Sequence, residues 1–324
     1  MTAATVDSVY ASMLLGRDPL DRETLWIEMY NRLRDHGQKG AVIEALSAVD
    51  IALWDIAGKR FGVPAHRLAG RAFRTRVPAY ATGLYRRRSP ENLRLLAREA
   101  EARLQEGFRA LKVKIGFGLA YDAEVVAAIR AAVGPGIGLA VDANHAYDAS
   151  TALRVCERLA PLGLLWFEEP VLPEDLAGYL ELRRHTSVPL AGGEAEFTRY
   201  GFRELISRRA LDIVQPDCCA VGGLSEALKV ADMADAWQVR CMPHVWGTGV
   251  AIAAALQMLA MIAPCPPSLE PQEPMLEYDR SPNPLRDAIC GEGFGLRDGM
   301  VDVPQGPGIG VAPDRRVLER FLLR

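Results

Sequence analysis

A-L-K-V-K-I-G at 110–116, G-L-A-V-D-A-N at 138–144, L-L-W-F-E-E-P at 164–170, P-L-A-G-G-E at 189–194, D-I-V-Q-P-D at 212–217 and V-R-C-M-P-H-V at 239–245 follow one pattern. Each is a short apolar, β-prone run that ends in a charged group and a turn signal, as buried parallel strands do. From Lys114 through Asp142, Glu168, Glu194 and Asp217 to His244, the spacings are 28, 26, 26, 23 and 27 residues. One strand, one helix and their two loops occupy about 25–30 residues. A chain that places one polar group per such unit sets them all on one rim. In a β/α barrel that rim, at the carboxyl ends of the strands, carries the active site.

Asp142, Glu168 and Glu194 come from three consecutive units. Three converging carboxylates repel one another unless a cation joins them, and all-oxygen ligation suits a hard ion such as Mg²⁺. Glu169 follows Glu168 directly and faces the other way on a strand, so only one of the two can be a direct ligand. Lys112 and Lys114, two residues apart, point to the same face of theirs. Two inward ammoniums need carboxylates nearby, and each is expected to lower the pKa of the other, which makes a lysine a competent base. Asp217 can hold one ring nitrogen of His244, fixing the tautomer and raising the basicity of the other nitrogen. Asn144 shares the face of Asp142 and is a candidate contact to substrate or to a neighbouring ligand. His145, at the same rim, is a candidate substrate contact.

K-V-K at 112–114, V-D-A-N at 141–144, F-E-E-P at 167–170, G-G-E at 192–194, Q-P-D at 215–217 and P-H at 243–244 fall in one order. In that order they resemble the mandelate racemase/muconate lactonizing enzyme branch of the enolase superfamily, over nearly the whole chain. The resemblance implies an α/β fold: a (β/α)7β TIM-like barrel with an α+β capping domain. It implies Mg²⁺ on Asp142, Glu168 and Glu194, Lys114 as one base, and the His244–Asp217 pair as the other. Glu277 in L-E-Y-D matches a glutamate of the family, with Glu270 and Glu273 as competitors. The implied chemistry removes the proton next to a carboxylate, stabilises the enediolate, and then eliminates a β-oxygen substituent. Y-A-T-G at 80–83, D-A-N-H at 142–145, P-H-V-W-G-T-G-V at 243–250 and D-R-S-P-N-P at 279–284 are most similar to lactone-opening cycloisomerases of the galactarolactone type. The expected reaction is therefore ring opening of a hexarolactone to a 3-deoxy-2-keto-hexarate. Acid-sugar dehydration of the galactarate type is the alternative.

Around this centre, residues 1–72 are expected to form a helical, N-terminally shortened capping domain, 73–278 the barrel, and 279–324 a segment returning to the cap. I-A-L-W-D at 51–55 lies in a nearly all-round apolar helix from Ala41, which ends at Gly58 or Gly62. Family members begin with further antiparallel strands whose loop closes over the substrate, and nothing before Val6 could form them. That departure motivates a reading of another class, a catalytically silent relative. It also leaves apolar surface on the helices of 20–60, which suggests a homo-oligomer. A Zn²⁺ hydrolase would want several histidine ligands, and only His145 and His244 lie near the rim.

Net charge −3 gives no electrostatic reason to expect nucleic acid or an anionic membrane surface as partner. The triplet Arg86-Arg87-Arg88 is the one basic cluster, read as a solvated loop with a substrate-anion contact as the alternative. Six cysteines without metal-finger spacing, and no signal-peptide pattern, suggest reduced thiols in the cytoplasm. The longest apolar run, Val250–Ala263, is 14 residues and is broken by Gln257. It is too short for a membrane span and suits a buried helix. The expected partner is a small-molecule acid sugar or its lactone.

Overall fold

The computed structural model describes residues 1–324 apart from Arg88, Pro90, Glu292, Leu323 and Arg324. Eight strands carry the site: β1 (Arg76–Gly83), β2 (Ala110–Lys114), β3 (Gly138–Asp142), β4 (Phe167–Glu168), β5 (Leu190–Gly192), β6 (Ile213–Val214), β7 (Arg240–Cys241) and β8 (Leu276–Asp279). β1 to β7 pair in parallel in sequence order, and β8 returns to lie parallel to β1. Each of β1 to β7 is followed by a helix that leads to the next strand of the barrel, which is the (β/α)7β arrangement. Register sets Lys114 beside Asp142 and Asp142 beside Glu168. Several ladders are shorter than the apolar runs suggest. At β4 the cause is visible: Glu169 turns to φ 44°, outside the extended region, and pairing stops.

The strands' inward positions form two levels. The lower is apolar and contains Tyr80, Ala110, Trp166, Ile213 and Met242. Two residues further along each strand come Thr82, Lys112, Glu168, Gln215 and His244. The pleat returns every second side chain to the same face, so a polar group stands above each of these five apolar residues.

The barrel helices follow sequence logic. Asp148, Asp175 and Thr248 cap Ala149–Leu159, Leu176–His185 and Gly249–Met261 by accepting from backbone N–H groups of the first turn. Gly249–Met261 is buried almost all round. Its one polar interruption, Gln257, accepts from the His66 backbone N–H at 3.1 Å and donates to the Pro304 carbonyl at 2.8 Å. The residue that breaks the apolar run thus ties three segments together.

Before the barrel, helices Arg22–Leu33 and Ala41–Phe61 share a separate core. Gly62, at φ 69°, ends the second in the left-handed conformation that glycine supplies most cheaply. This pair docks on the N-terminus of the barrel helix Gly223–Ala236. Trp26 Nε1 donates to the Gly222 carbonyl at 2.7 Å, Ser47 Oγ accepts from Gly222 N–H at 2.8 Å, and Asp50 Oδ2 accepts from Ser225 N–H at 2.9 Å. After β8, β10 (Met300–Asp302) runs antiparallel to the start of β1, with β9 (Leu296–Arg297) beyond it. The chain then reaches the cap, where Gly308 bridges Pro64 and Ile309 N–H meets Asp55 Oδ1 at 3.0 Å. Leu20, Ile27, Ile56 and Phe61 remain exposed on the cap. Among the described residues no helix is long and apolar enough to cross a membrane.

Candidate metal centre and active site

Asp142 ends β3, Glu168 ends β4, and Glu194 lies just past β5. One carboxylate oxygen from each can be chosen so that all three lie within 4.8 Å of one another. Glu194 reaches the group through Gly193, at φ 122°, where a Cβ would meet the Phe202 ring at 2.6 Å. Its Oε2 is buried and has no hydrogen-bond partner among the described residues, the nearest cationic group being the His244 ring at 3.5 Å. An orphaned carboxylate oxygen facing two other carboxylates is costly in a low-dielectric interior unless a cation takes it. The donor set, oxygen only, is that of a hard divalent ion.

The row of acids is bracketed. At the Asp142 end, Lys114 Nζ sits 2.5 Å from Asp142 Oδ2 and 3.0 Å from Asn144 Oδ1. At the Glu194 end, His244 Nε2 lies 3.5 Å from Glu194 Oε2, and its Nδ1 is 2.7 Å from Asp217 Oδ2. The strands explain this: Lys114 is on β2 and His244 just beyond β7, with the three carboxylates between them along the sheet. Burial opposes charge on His244, but Glu277, Asp217 and Glu194 outweigh it and hold the imidazole up at about 10.

Lys112 departs from expectation. It is fully buried and touches Glu168 at 2.5 Å, Glu277 at 2.7 Å and Asp142 at 3.6 Å. Burial acts to lower its pKa, yet Glu168 and Glu277 override this and raise it well above the ordinary lysine value. Three acids from three strands outweigh the one neighbouring ammonium. Lys112 is a fixed positive charge beneath the site, and the proximity of Lys114 does not turn it into a neutral base. Its partners move in opposite directions. Burial raises Glu168 in spite of Lys112, whereas on Glu277 the attraction of Lys112 and His244 overcomes burial and lowers it.

Glu277, on β8, is therefore the glutamate that joins the cluster. Glu273 is 2.6 Å from Arg74 Nε and Glu270 is solvent-exposed. Asn144 donates its backbone N–H to Asp142 Oδ1 at 2.8 Å, so it steadies a neighbouring acid as well as Lys114. His145 turns to Glu169, with Nε2 3.1 Å from Oε2 and its backbone N–H 2.8 Å from the Glu169 carbonyl. Asn144, His145 and Glu169 all take positive φ, at 41°, 66° and 44°. Three such non-glycine residues in adjoining turns mark strain concentrated at one rim. Burial first, then Glu194 and Asp142, push the Glu169 carboxyl up.

Two further side chains hold the centre and were not singled out from sequence. Trp166 Nε1 and Gln215 Nε2 each donate to Glu168 Oε2 at 2.9 Å. Their signal was available in the strand period: Trp166 is one inward position below Glu168, and Gln215 is the inward residue of Q-P-D. Arg86 and Arg87 are exposed. Arg86 lies over the Phe117 and Tyr121 rings at 4.8 and 4.6 Å, and Arg87 pairs with Glu99 at 2.6 Å. Arg88 lies outside the described residues.

Comparison with known proteins agrees with this arrangement. Residues 95–317 match the family described as enolase C-terminal domain-like, and residues 1–70 match the mandelate racemase/muconate lactonizing enzyme N-terminal domain. A D-galactarolactone cycloisomerase of Agrobacterium fabrum is 46% identical over 98% of this chain and 84% of its own length. An arabinonate dehydratase of Saccharolobus solfataricus is 35% identical, over 98% of this chain and 82% of its own. The crystal structure of a racemase from Streptomyces coelicolor A3(2) with bound magnesium superposes with a TM-score of 0.88 at 32% identity. That superposition covers 99% of this chain and 84% of the other.

Proposed function

Because the chain belongs to the mandelate racemase/muconate lactonizing enzyme family of the enolase superfamily, we propose that it is a Mg²⁺-dependent cycloisomerase opening a hexarolactone of the galactarolactone type. The observation that carries the proposal is the row of Asp142, Glu168 and Glu194 flanked by Lys114 and the His244–Asp217 pair. The three carboxylates would hold the ion, and the orphaned Glu194 Oε2 fits that role. When bound, a divalent ion supplies the positive charge that stabilises the enediolate as the α-proton leaves.

The remaining steps belong to the protein's own groups. Lys114 Nζ, on the Asp142 side, takes the proton from the carbon next to the substrate carboxylate. The electron pair of that C–H bond becomes a C=C bond, and the bond to the lactone ring oxygen breaks. The oxygen leaves as a carboxylate, so ring opening needs no acid at the leaving group. The enol left behind becomes the ketone when the neighbouring carbon is protonated. His244, oriented through Nδ1 by Asp217 at 2.7 Å, supplies that proton from the Glu194 side. Lys112 holds Glu168 and Glu277 in place from below. The net change is an isomerisation with no water gained or lost.

Dehydration of the open-chain acid sugar uses the same groups but must expel hydroxide, and the 35%-identical arabinonate dehydratase favours keeping it as the second reading. The test is proton NMR in heavy water with Mg²⁺, supplying galactarolactone and galactarate separately. Consumption of the lactone with deuterium incorporated into the 3-deoxy-2-keto product is expected. Galactarate consumed while the lactone persists would transfer the assignment to dehydration. No Mg²⁺-dependent exchange with either would favour a silent relative. The exposed Leu20, Ile27, Ile56 and Phe61 of the cap are where we place a second copy of the chain, and a monomer in light scattering at micromolar concentration would remove that reading.

A further inference from the structure

At the opposite end of the strands from the carboxylates lies a cavity of about 810 Å³, walled by Leu165, Trp166, Met242 and Met275. Its size and apolar lining are those of a small-molecule site, which commonly adds a few convergent polar groups. Here the polar groups are Arg240, half-buried on the wall, with Gln272, Ser268, Glu270 and Glu273 toward the mouth formed by the loop before β8. Its guanidinium donates to the neutral Gln272 Oε1 at 2.5 Å and forms no ion pair among the described residues. Three carboxylates lie nearby and none is in contact with it: Glu270 and Glu273 line the same cavity, and the charge of Asp212 acts on it from a distance. Asp212 is bound to Arg183 at 2.7 Å, Glu273 is bound to Arg74 at 2.6 Å, and Glu270 is exposed to solvent on the loop before β8. A cation half out of water beside an apolar wall, hydrogen-bonded only to an amide among the described residues, is incompletely compensated.

We propose that this cavity binds a small organic acid with an apolar body, its carboxylate on Arg240 and its body against Trp166, Met242 and Met275. The site is distinct from the metal centre but touches it through one side chain. Trp166, on the cavity wall, donates its indole N–H to Glu168 Oε2 at 2.9 Å. An occupant would therefore press on the residue that steadies a carboxylate of the triad.

The test is isothermal titration of the intact protein with octanoate, below the concentration at which it forms micelles, and with 1-octanol as the uncharged counterpart. One octanoate per chain is expected, with 1-octanol much weaker. Arg240→Gln should weaken octanoate by about tenfold or more, the loss of a charge-assisted bond. Met275→Trp, or Ala263→Trp if that variant does not fold, should block it by filling the cavity. The folded state of each variant is checked by circular dichroism. Absence of saturable binding, equal affinity in Arg240→Gln, or unchanged binding in the filled variant would each overturn the proposal.

Discussion

Two residues separate the greasy floor of this barrel from its charged upper level. Ala110 lies below Lys112, Ala140 below Asp142, Trp166 below Glu168, Ile213 below Gln215 and Met242 below His244, and Met275 packs against the same floor below Glu277. The lower side chains lose contact with water and make van der Waals contacts, so each contributes favourably on its own. The upper ones cost free energy individually and are tolerable only as a paired set. Stability and chemistry are thus segregated along the strand axis, one pleat apart, and substitutions at the two levels should fail in different ways.

The largest difference is expected at Lys114, the uppermost of the inward groups. Lys114→Ala should lower turnover of the lactone by about 10²–10⁴-fold, the range for a general base, with thermal unfolding little changed. A variant within tenfold of the parent would remove Lys114 from the proton transfer. Lys112, two residues down, should behave otherwise. Lys112→Met leaves Glu168 and Glu277 buried without their shared cation, and breaking a buried pair from one side costs about 3–5 kcal/mol. Urea unfolding measures this. A loss below about 1 kcal/mol would mean that the acids find another partner.

The contrast between these two lysines marks how far the sequence could be read. Strand order, the acid triad and the His244–Asp217 pair were legible because each unit repeats its period and ends at one rim, which geometry alone brings together. Glu277 was recognisable but not separable from Glu270 and Glu273, since the loop before β8 has no period to count along. The state of Lys112 was not legible at all. A pKa depends on every charge within several ångströms in three dimensions, and three acids from β3, β4 and β8 surround that ammonium. The positive φ of His145 and Glu169 was equally hidden, because neither residue type announces a left-handed turn.

The run from Ile213 to Gln215 carries one residue of each level. Just past the end of β6, Gln215 belongs to the upper level: its Nε2 holds Glu168, while its Oε1 is buried without a partner among the described residues. Gln215→Leu removes the donor and the orphaned acceptor together, so stability should shift little. Binding of Mg²⁺, followed by calorimetry, should weaken by about 10–100-fold, as when a residue orienting a metal ligand is lost. Unchanged affinity would show that Trp166 and Lys112 suffice to orient Glu168.

Ile213, the lower-level residue of the same run, should give the smallest effect. It is fully buried and its neighbours on the floor are Tyr80, Trp166 and Met242, so no polar group loses a partner when it is shortened. Ile213→Val deletes one methylene from a close-packed layer and should cost about 0.5–1.5 kcal/mol in urea unfolding. Turnover and Mg²⁺ affinity should stay at the parent's values, because the gap opens beneath the metal ligands and the pleat keeps Gln215 in its own position above. If instead Ile213→Val disturbed Mg²⁺ binding as strongly as Gln215→Leu, the two levels would be mechanically continuous. The floor would then have to be counted as part of the site's support, with the cavity beside Trp166 as the place from which that support can be moved.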